Sequence, residues 1–195
     1  QVALELQDPT LAQASFLNAK GNGADGWKNL SYAQLNTAWD LGITLQPRFA
    51  NINTDSTDLS VFRDRGGKVL SYHGLADVLV PPQGTINYYN RVATAMGGVT
   101  AVQNFYRLYL VPGMSHGFGN GSAVDAAVPL PSNDDLYGML TNWVEKGIAP
   151  PSRVDVSSAA STSFPTVATR PICLYPLKPT YTAGSATAAA SYGCS

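Results

Sequence analysis

The residues in this sequence best suited to catalysis are an aspartate and a histidine that each follow an apolar segment. Asp77 ends the stretch YHGLAD at 72–77, and His116 lies in the stretch PGMSHG at 112–117. An aspartate beside a histidine holds the imidazole in one tautomer and stabilises the imidazolium that forms when the ring accepts a proton. The pair therefore predicts acid–base chemistry, with Asp77 orienting the ring and His116 acting as the base.

Taken singly, each residue has an ordinary structural explanation. Aspartates in turns commonly cap backbone amides, and histidines are common in surface loops. The combination is more specific, because an acid after one strand and a histidine after the next follow the chain order Ser…Asp…His of the α/β-hydrolases. We therefore interpret Asp77 and His116 as two members of a Ser-His-Asp triad.

The third member, a serine nucleophile, has no convincing candidate in the chain. Residues 113–117 (GMSHG) match the nucleophile pattern G-x-S-x-G around Ser115. A nucleophile elbow needs a helix directly after the serine and a histidine downstream, yet the next residues are FGNG and no histidine follows His116. We therefore do not assign Ser115 this role, and we expect the serine in an upstream segment or a partner chain.

His73 precedes Asp77 and is the other of the two histidines in the sequence. It could orient a loop by hydrogen bonding, line the site or act as an alternative base. We favour a structural, supporting role, because the later histidine already stands where the base is expected. A zinc site from His73, Asp77 and His116 is conceivable by residue type, but hydrolytic zinc sites have a more recognisable ligand spacing. We predict no metal site in this chain.

Two strands and two helices are expected to position these residues. Lys68–Tyr72 and Val102–Val111 have the apolar content of buried strands. One helix is predicted at Gln83–Met96, and another between the N-cap residue Ser132 and the terminating Gly147. Because strand and helix alternate, we predict an α/β fold with a parallel sheet flanked by helices. Two strands make too small a sheet to bury both helices, so further strands are expected beside it.

Residues 1–58 have a less regular pattern, with short helices predicted at Leu11–Leu17 and Tyr32–Leu41. The composition excludes some classes of function: the 195 residues are 13% charged, with a net charge of −1. No basic run favours nucleic acid or an anionic membrane, and no stretch approaches the roughly 18 apolar residues of a membrane span. Uncharged residues dominate the polar surface, which suits a secreted protein.

The two cysteines, Cys173 and Cys194, lie in a tail rich in proline, threonine and alanine. A metal site would need more cysteine or histidine nearby, so the pair favours a disulfide that closes the C-terminal segment into a loop. Disulfides persist in oxidising compartments, which again indicates secretion to the extracellular space or the periplasm.

The sequence resembles the tannase and feruloyl esterase family of secreted serine esterases over roughly its last two-thirds. The resemblance lies in six segments that follow one another in the family's order: 58–68 (DLSVFRDRGGK), 72–77 (YHGLAD), 81–89 (PPQGTINYY), 111–116 (VPGMSH), 143–150 (WVEKGIAP) and 169–176 (TRPICLYP).

The resemblance implies an α/β-hydrolase core with a large lid domain inserted between the serine and the acid. Residues 1–58 would be the C-terminal end of that lid, and residues 59–195 the C-terminal part of the catalytic domain. It further implies that Asp77 is the acid, that His116 is the base and that Cys173 and Cys194 form the terminal disulfide. The serine, the oxyanion hole and the lid's calcium site would lie upstream, so no cofactor is expected in this chain.

Members of this family cleave esters of hydroxybenzoic or hydroxycinnamic acids or related aromatic esters, and some are cut into two chains that stay together. One position departs from the family pattern. The family typically has a cysteine directly after the histidine, disulfide-linked to one beside the serine, whereas Gly117 stands there in this chain. This puts that disulfide in doubt here and indicates a divergent branch.

The sequence thus predicts part of a secreted serine carboxylesterase acting on aromatic esters. One alternative is a non-catalytic homologue that binds aromatic or glycan ligands after losing its nucleophile. Another is a hydrolase of the same superfamily with a different substrate, such as a peptidase. A serine in an elbow upstream would favour an enzyme, and its absence would favour the binding protein.

Overall fold

The computed structural model describes residues 30–49, 54–117, 128–159 and 167–195. The chain divides into two compact units, Gln1–Asp55 and Ser56–Ser195. The assignment of residues 1–58 to a lid domain stays a prediction, and the helix predicted at Leu11–Leu17 lies outside the described residues.

The first unit contains helix α1 (Tyr32–Thr44) and a 3₁₀ turn at Gln46–Phe49. A capping box begins α1: the Ser31 hydroxyl accepts from the Gln34 amide at 3.2 Å, and the Gln34 side chain accepts from the Ser31 amide at 2.9 Å. The predicted stop at Leu41 is wrong, because the helix continues through Gly42. One glycine costs a helix only about 1 kcal/mol relative to alanine, so Gly42 does not prevent the helix from continuing to Ile43 and Thr44.

A four-stranded sheet in the order β1-β2-β4-β3 forms the centre of the second unit. Its strands are β1 (Val69–Gly74), β2 (Tyr106–Val111), β3 (Arg153–Ser157) and β4 (Thr169–Leu174). β1 and β2 are parallel, whereas β4 runs antiparallel to both β2 and β3. The predicted α/β class is confirmed, and the sheet is mixed, because β4 runs against the other three strands. The sequence patterns revealed neither β3 nor β4.

Four helices accompany this sheet in the described part of the second unit: α2 (Ser60–Asp64), α3 (Pro82–Ala95), α4 (Val99–Val102) and α5 (Asn133–Lys146). Helix α3 confirms the prediction and forms most of the connection between β1 and β2. Helix α5 begins at the predicted cap, where the Ser132 hydroxyl accepts from the Asp135 amide at 3.0 Å, and ends at Gly147 with φ of 69°.

Strand β2 is deeply buried, and side chains on both of its faces are covered. Tyr106 and Leu108 pack with Tyr89 and Val92 of α3. Tyr109 and Val111 belong to a second hydrophobic cluster, which is formed mainly with side chains of strands β3 and β4. Strands with two covered faces are typical of the interior of α/β folds, so β2 holds the elements on either side in fixed positions.

The tail adds a small two-stranded sheet of β5 (Pro179–Tyr181) and β6 (Tyr192–Cys194). The predicted disulfide is present: Cys173 of β4 is bonded to Cys194 of β6, with an S–S distance of 2.01 Å. None of the helices in the described ranges combines the length and apolar character needed to cross a membrane.

Candidate active site

The carboxyl ends of β1 and β2 lie side by side and bring their two loops together. Gly74 pairs in register with Val111 as the last residue of each strand. Beyond the strands, the Leu75 amide donates to the Val111 carbonyl at 2.9 Å, and the Ala76 amide donates to the Met114 carbonyl at 3.0 Å. The loops that carry Asp77 and His116 are therefore linked backbone to backbone.

Gly74 permits this close approach of the two loops. A Cβ atom added at Gly74 would lie 2.2 Å from the Met114 carbonyl oxygen and 2.6 Å from that of Ser115. Atoms do not approach so closely without displacement of the backbone, so only glycine fits at this strand end. The glycine in the YHGLAD stretch thus serves the geometry of the loop that carries His116.

Asp77 lies under these loops with a side chain that is 4% exposed. Its Oδ1 atom accepts hydrogen bonds from the backbone amides of Leu79 and Val80, each at 2.9 Å. Its Oδ2 atom is 2.9 Å from Nδ1 of His116. Burial raises the pKa of Asp77, but the hydrogen bonds from Val80, His116 and Leu79 outweigh it and lower the pKa to about 2. The carboxylate is therefore ionised at neutral pH.

His116, in contrast to Asp77, is accessible to solvent, with a side chain that is 55% exposed. An ionised carboxylate can only accept, so the Nδ1 atom bonded to Asp77 must carry a proton. In the neutral ring this leaves the Nε2 lone pair available to accept a proton from another group. The structure thus brings the two predicted site residues together in the arrangement that a histidine base requires.

His73 lies beside the same carboxylate, near the end of β1. Its Nδ1 atom is 2.8 Å from the Thr85 hydroxyl, and its Nε2 atom is 2.9 Å from the Val80 carbonyl oxygen and 3.3 Å from Oδ2 of Asp77. His116 is therefore hydrogen-bonded to the carboxylate, whereas Nε2 of His73 is hydrogen-bonded to the Val80 carbonyl and lies close to the carboxylate. Among the described residues, no group of three or more His, Cys, Asp or Glu side chains is arranged to hold a metal ion.

Ser115 lies between the buried Met114 and His116, in a loop rather than a strand-to-helix turn. The next two residues, His116 and Gly117, are not helical, and Gly117 has a φ of 113°. A backbone of this kind is natural for glycine and strained for cysteine. The local conformation therefore agrees with the glycine found where the family typically has a cysteine.

Sequence analysis did not identify the amides of Leu79 and Val80 or the Thr85 hydroxyl as parts of the site. The amide contacts form an Asx turn, in which an aspartate bonds to amides two and three residues ahead. An aspartate followed closely by Pro81 is the signal that could have predicted such a turn. Thr85 belongs to helix α3 and gives no comparable signal.

Comparisons with known proteins show which proteins this chain is similar to. A family model described as tannase and feruloyl esterase matches residues 18–195. A probable feruloyl esterase from Arthroderma benhamiae is 44% identical over 138 residues, which are 70% of this chain and 24% of that protein. A mono(2-hydroxyethyl) terephthalate hydrolase from Piscinibacter sakaiensis is 41% identical over 122 residues, which are 62% of this chain and 18% of that protein.

A crystal structure of an esterase from Aspergillus oryzae superposes with a TM-score of 0.68 and 31% identity, over 85% of this chain and 33% of that one. This chain therefore spans about a quarter of the length of the curated relatives named above, or less. The match of the family model covers most of the chain. The chain belongs to the tannase and feruloyl esterase family.

Proposed function

We propose that this chain is the C-terminal part of a secreted serine carboxylesterase, with Asp77 and His116 as two members of its Ser-His-Asp triad. The observation that carries the proposal is the 2.9 Å contact between a buried Asp77 carboxylate and the Nδ1 atom of an exposed His116. Both residues follow the carboxyl ends of adjacent parallel strands, which is where α/β folds place their reacting groups.

The proposed chemistry is acyl transfer in two halves. His116 accepts the proton of a serine hydroxyl through Nε2 while the serine oxygen attacks the ester carbonyl. The imidazolium then gives this proton to the departing alcohol, and an acyl-enzyme remains. In the second half, His116 takes a proton from water while the water oxygen attacks the acyl carbonyl. The bond to the serine oxygen then breaks, the imidazolium returns its proton to that oxygen, and the acid is released. Asp77 stays ionised throughout, holding the ring and stabilising its positive charge.

The serine belongs, in this proposal, to an upstream segment or to a partner chain. Two observations support this location. A helix directly follows the serine of a nucleophile elbow, whereas His116 and Gly117, which follow Ser115, are not helical. The relatives named above are also several times longer than the matched region. The oxyanion hole would lie with the serine.

The proposed substrates are esters of aromatic acids. Feruloyl esters and terephthalate monoesters, the substrates named for two relatives, both present an aryl acyl group to the enzyme. Secretion is supported by the Cys173–Cys194 disulfide, since such bonds persist in oxidising compartments.

The triad is tested with Asp77→Asn and His116→Ala in the complete esterase, that is, this chain with the segment or chain that carries the serine. Each variant should lower kcat toward a p-nitrophenyl or feruloyl ester by about three orders of magnitude or more. Labelling by a fluorophosphonate should slow in parallel, because it requires the same activated serine. Peptide mapping by mass spectrometry should place the label outside these 195 residues.

Asp134→Asn is the matched control, since it removes an exposed acid from the first turn of α5 and should leave turnover unchanged. Near-normal turnover by either triad variant, or a label on Ser115, would contradict the proposal. A wild-type protein that binds aromatic acids but neither turns over esters nor takes the label would instead be the non-catalytic binding protein.

A further inference from the structure

His73 makes more contacts than a residue that only fills space near the triad. It is the second-to-last residue of β1, and its side chain is 12% exposed. Its ring nitrogens reach Thr85 in helix α3, the carbonyl of Val80 in the following loop and the carboxylate of Asp77. One imidazole therefore joins a strand, a helix and the loop that carries the acid.

The partners determine which nitrogen of His73 carries the proton in the neutral ring. The Val80 carbonyl and the Asp77 carboxylate can only accept, so Nε2, which faces both, must be the N–H donor. The Nδ1 atom is then an acceptor, and the Thr85 hydroxyl donates to it at 2.8 Å. Val80 and Asp77 thus select the tautomer that presents its N–H to the loop of Asp77, and Thr85 supports it by donating to Nδ1.

His73 donates from Nε2 to the Val80 carbonyl and also lies at ion-pair distance from the Asp77 carboxylate. Oδ1 receives the amides of Leu79 and Val80, and Oδ2 faces Nδ1 of His116 at 2.9 Å and Nε2 of His73 at 3.3 Å. A carboxylate offers about four lone-pair directions. The two amides hold Oδ1 and His116 holds Oδ2, so the carboxylate cannot rotate without breaking a hydrogen bond, and His73 lies against its Oδ2 side.

The same contacts exclude His73 as an alternative base. Its Nδ1 lone pair is occupied by Thr85, and its Nε2 proton points to Val80 and Asp77. A base needs a free lone pair facing the reacting proton, and His116 is the ring that retains one.

We propose that His73, held between the Val80 carbonyl and the Thr85 hydroxyl, is a positioning residue that fixes the loop and the carboxylate of Asp77 for the bond to His116. The inference rests on the proposed function, because Asp77 must first act as the triad acid. His73 itself touches neither the substrate nor the serine in this arrangement. Its removal should affect the chemical step while leaving substrate affinity largely intact.

The test uses His73→Phe, His73→Gln and Thr85→Val in the complete esterase. Phenylalanine keeps a ring but no donor, and it should lower kcat by about 10-fold to 100-fold with little change in KM. Glutamine places an amide N–H near the position of Nε2 and should recover most of that loss. Thr85→Val should give a smaller loss in kcat. Thr94→Val, which removes only a bond to the Asn90 carbonyl on the same helix, should behave as wild type.

A spectroscopic measurement separates positioning from general stabilisation. The Nδ1 proton that His116 shares with Asp77 should give a downfield proton resonance. This signal should broaden or disappear in folded His73→Phe and return in His73→Gln. A role in stability alone would lower the melting temperature and leave this signal unchanged.

The failures of the two proposals are distinguishable. Normal kcat and an unchanged resonance in His73→Phe, with Asp77→Asn inactive, would overturn the positioning role and leave the triad standing. Turnover retained by Asp77→Asn would overturn the triad itself. If His73→Phe does not fold, Thr85→Val decides: kcat and a resonance equal to those of Thr94→Val would refute the inference.

Discussion

Asp77 remains ionised although its side chain is almost entirely covered. Burial alone would favour the neutral acid, since a charge loses its hydration in a protein interior. Two backbone amides and an imidazole replace that hydration with short hydrogen bonds, and the pKa falls to about 2. The residue thus owes its charge to the turn formed by Leu79 and Val80 as much as to His116.

This pKa makes a prediction about stability against pH. A carboxyl whose pKa is lower in the folded than in the unfolded protein stabilises the fold at pH values above its unfolded pKa, which for aspartate is near 3.8. That contribution is lost as the pH falls from about 4 to about 2. Wild type should therefore exceed Asp77→Asn in melting temperature at pH 6, and the difference should shrink toward pH 2.

Thermal melts of both proteins across this pH range provide the measurement. Asp134→Asn again serves as the control, because its curve should run parallel to that of the wild type. If the difference in melting temperature between wild type and Asp77→Asn stayed constant down to pH 2, ionisation of Asp77 would not contribute to the stability of the fold.

At the scale of elements, the site depends on how closely β1 and the loop after β2 approach each other at Gly74. Gly74→Ala would place a methyl group within 2.2 Å of the Met114 carbonyl oxygen. The loop must move, which should separate His116 from Asp77. We expect a lower melting temperature together with a loss of kcat on the order of 100-fold, since small displacements of reacting groups are costly.

Gly138→Ala is the matched control within the same unit. Gly138 lies in helix α5, and a Cβ atom there meets nothing within 4 Å. Alanine should stabilise that helix by roughly 0.5–1 kcal/mol and leave kcat unchanged. Equal activities of the Gly74→Ala and Gly138→Ala variants would show that the close approach at Gly74 is not needed for function.

Local patterns predicted the elements whose signals lie within a few residues. The cap at Ser132, the glycine at Gly147 and the helix predicted at Gln83–Met96 rest on signals of this kind, and each prediction is confirmed. The proximity of the two site residues could be predicted equally well, because a parallel sheet brings consecutive strand ends to one edge. The contact between Asp77 and His116 follows from that topology.

The remaining elements depend on contacts that a local pattern does not contain. Strand β4 includes Pro171 and lies in a proline-rich tail, which argues against a buried strand by composition. It forms nonetheless, because it pairs with β2 and β3 and its last four residues, Pro171–Leu174, are buried. The His73–Thr85 contact likewise joins a strand to a helix, so neither sequence segment alone reveals it.

At the scale of the whole molecule, the C-terminal segment after β4 is attached to the central sheet of the second unit by hydrogen bonds and by the disulfide. The Arg153 guanidinium of β3 donates to the Ala189 carbonyl at 2.8 Å, and the Ala189 amide donates to the Thr169 hydroxyl at 2.7 Å. The disulfide joins buried Cys173 of β4 to Cys194 of β6. β4 lies between β2 and β3, and β2 is the strand that leads to His116. The tail therefore holds β4 in place beside β2.

The disulfide closes a loop of 21 residues in sequence separation, which should stabilise the fold by about 3 kcal/mol through restriction of the unfolded chain. Cys173→Ala/Cys194→Ala should lower the free energy of unfolding in urea by that amount, with Asp77 and His116 still in place. Dithiothreitol should bring wild type to the same stability and leave the variant unaffected. Two thiols titrated in denatured wild type before any reductant is added would contradict both the bond and the oxidising compartment it indicates.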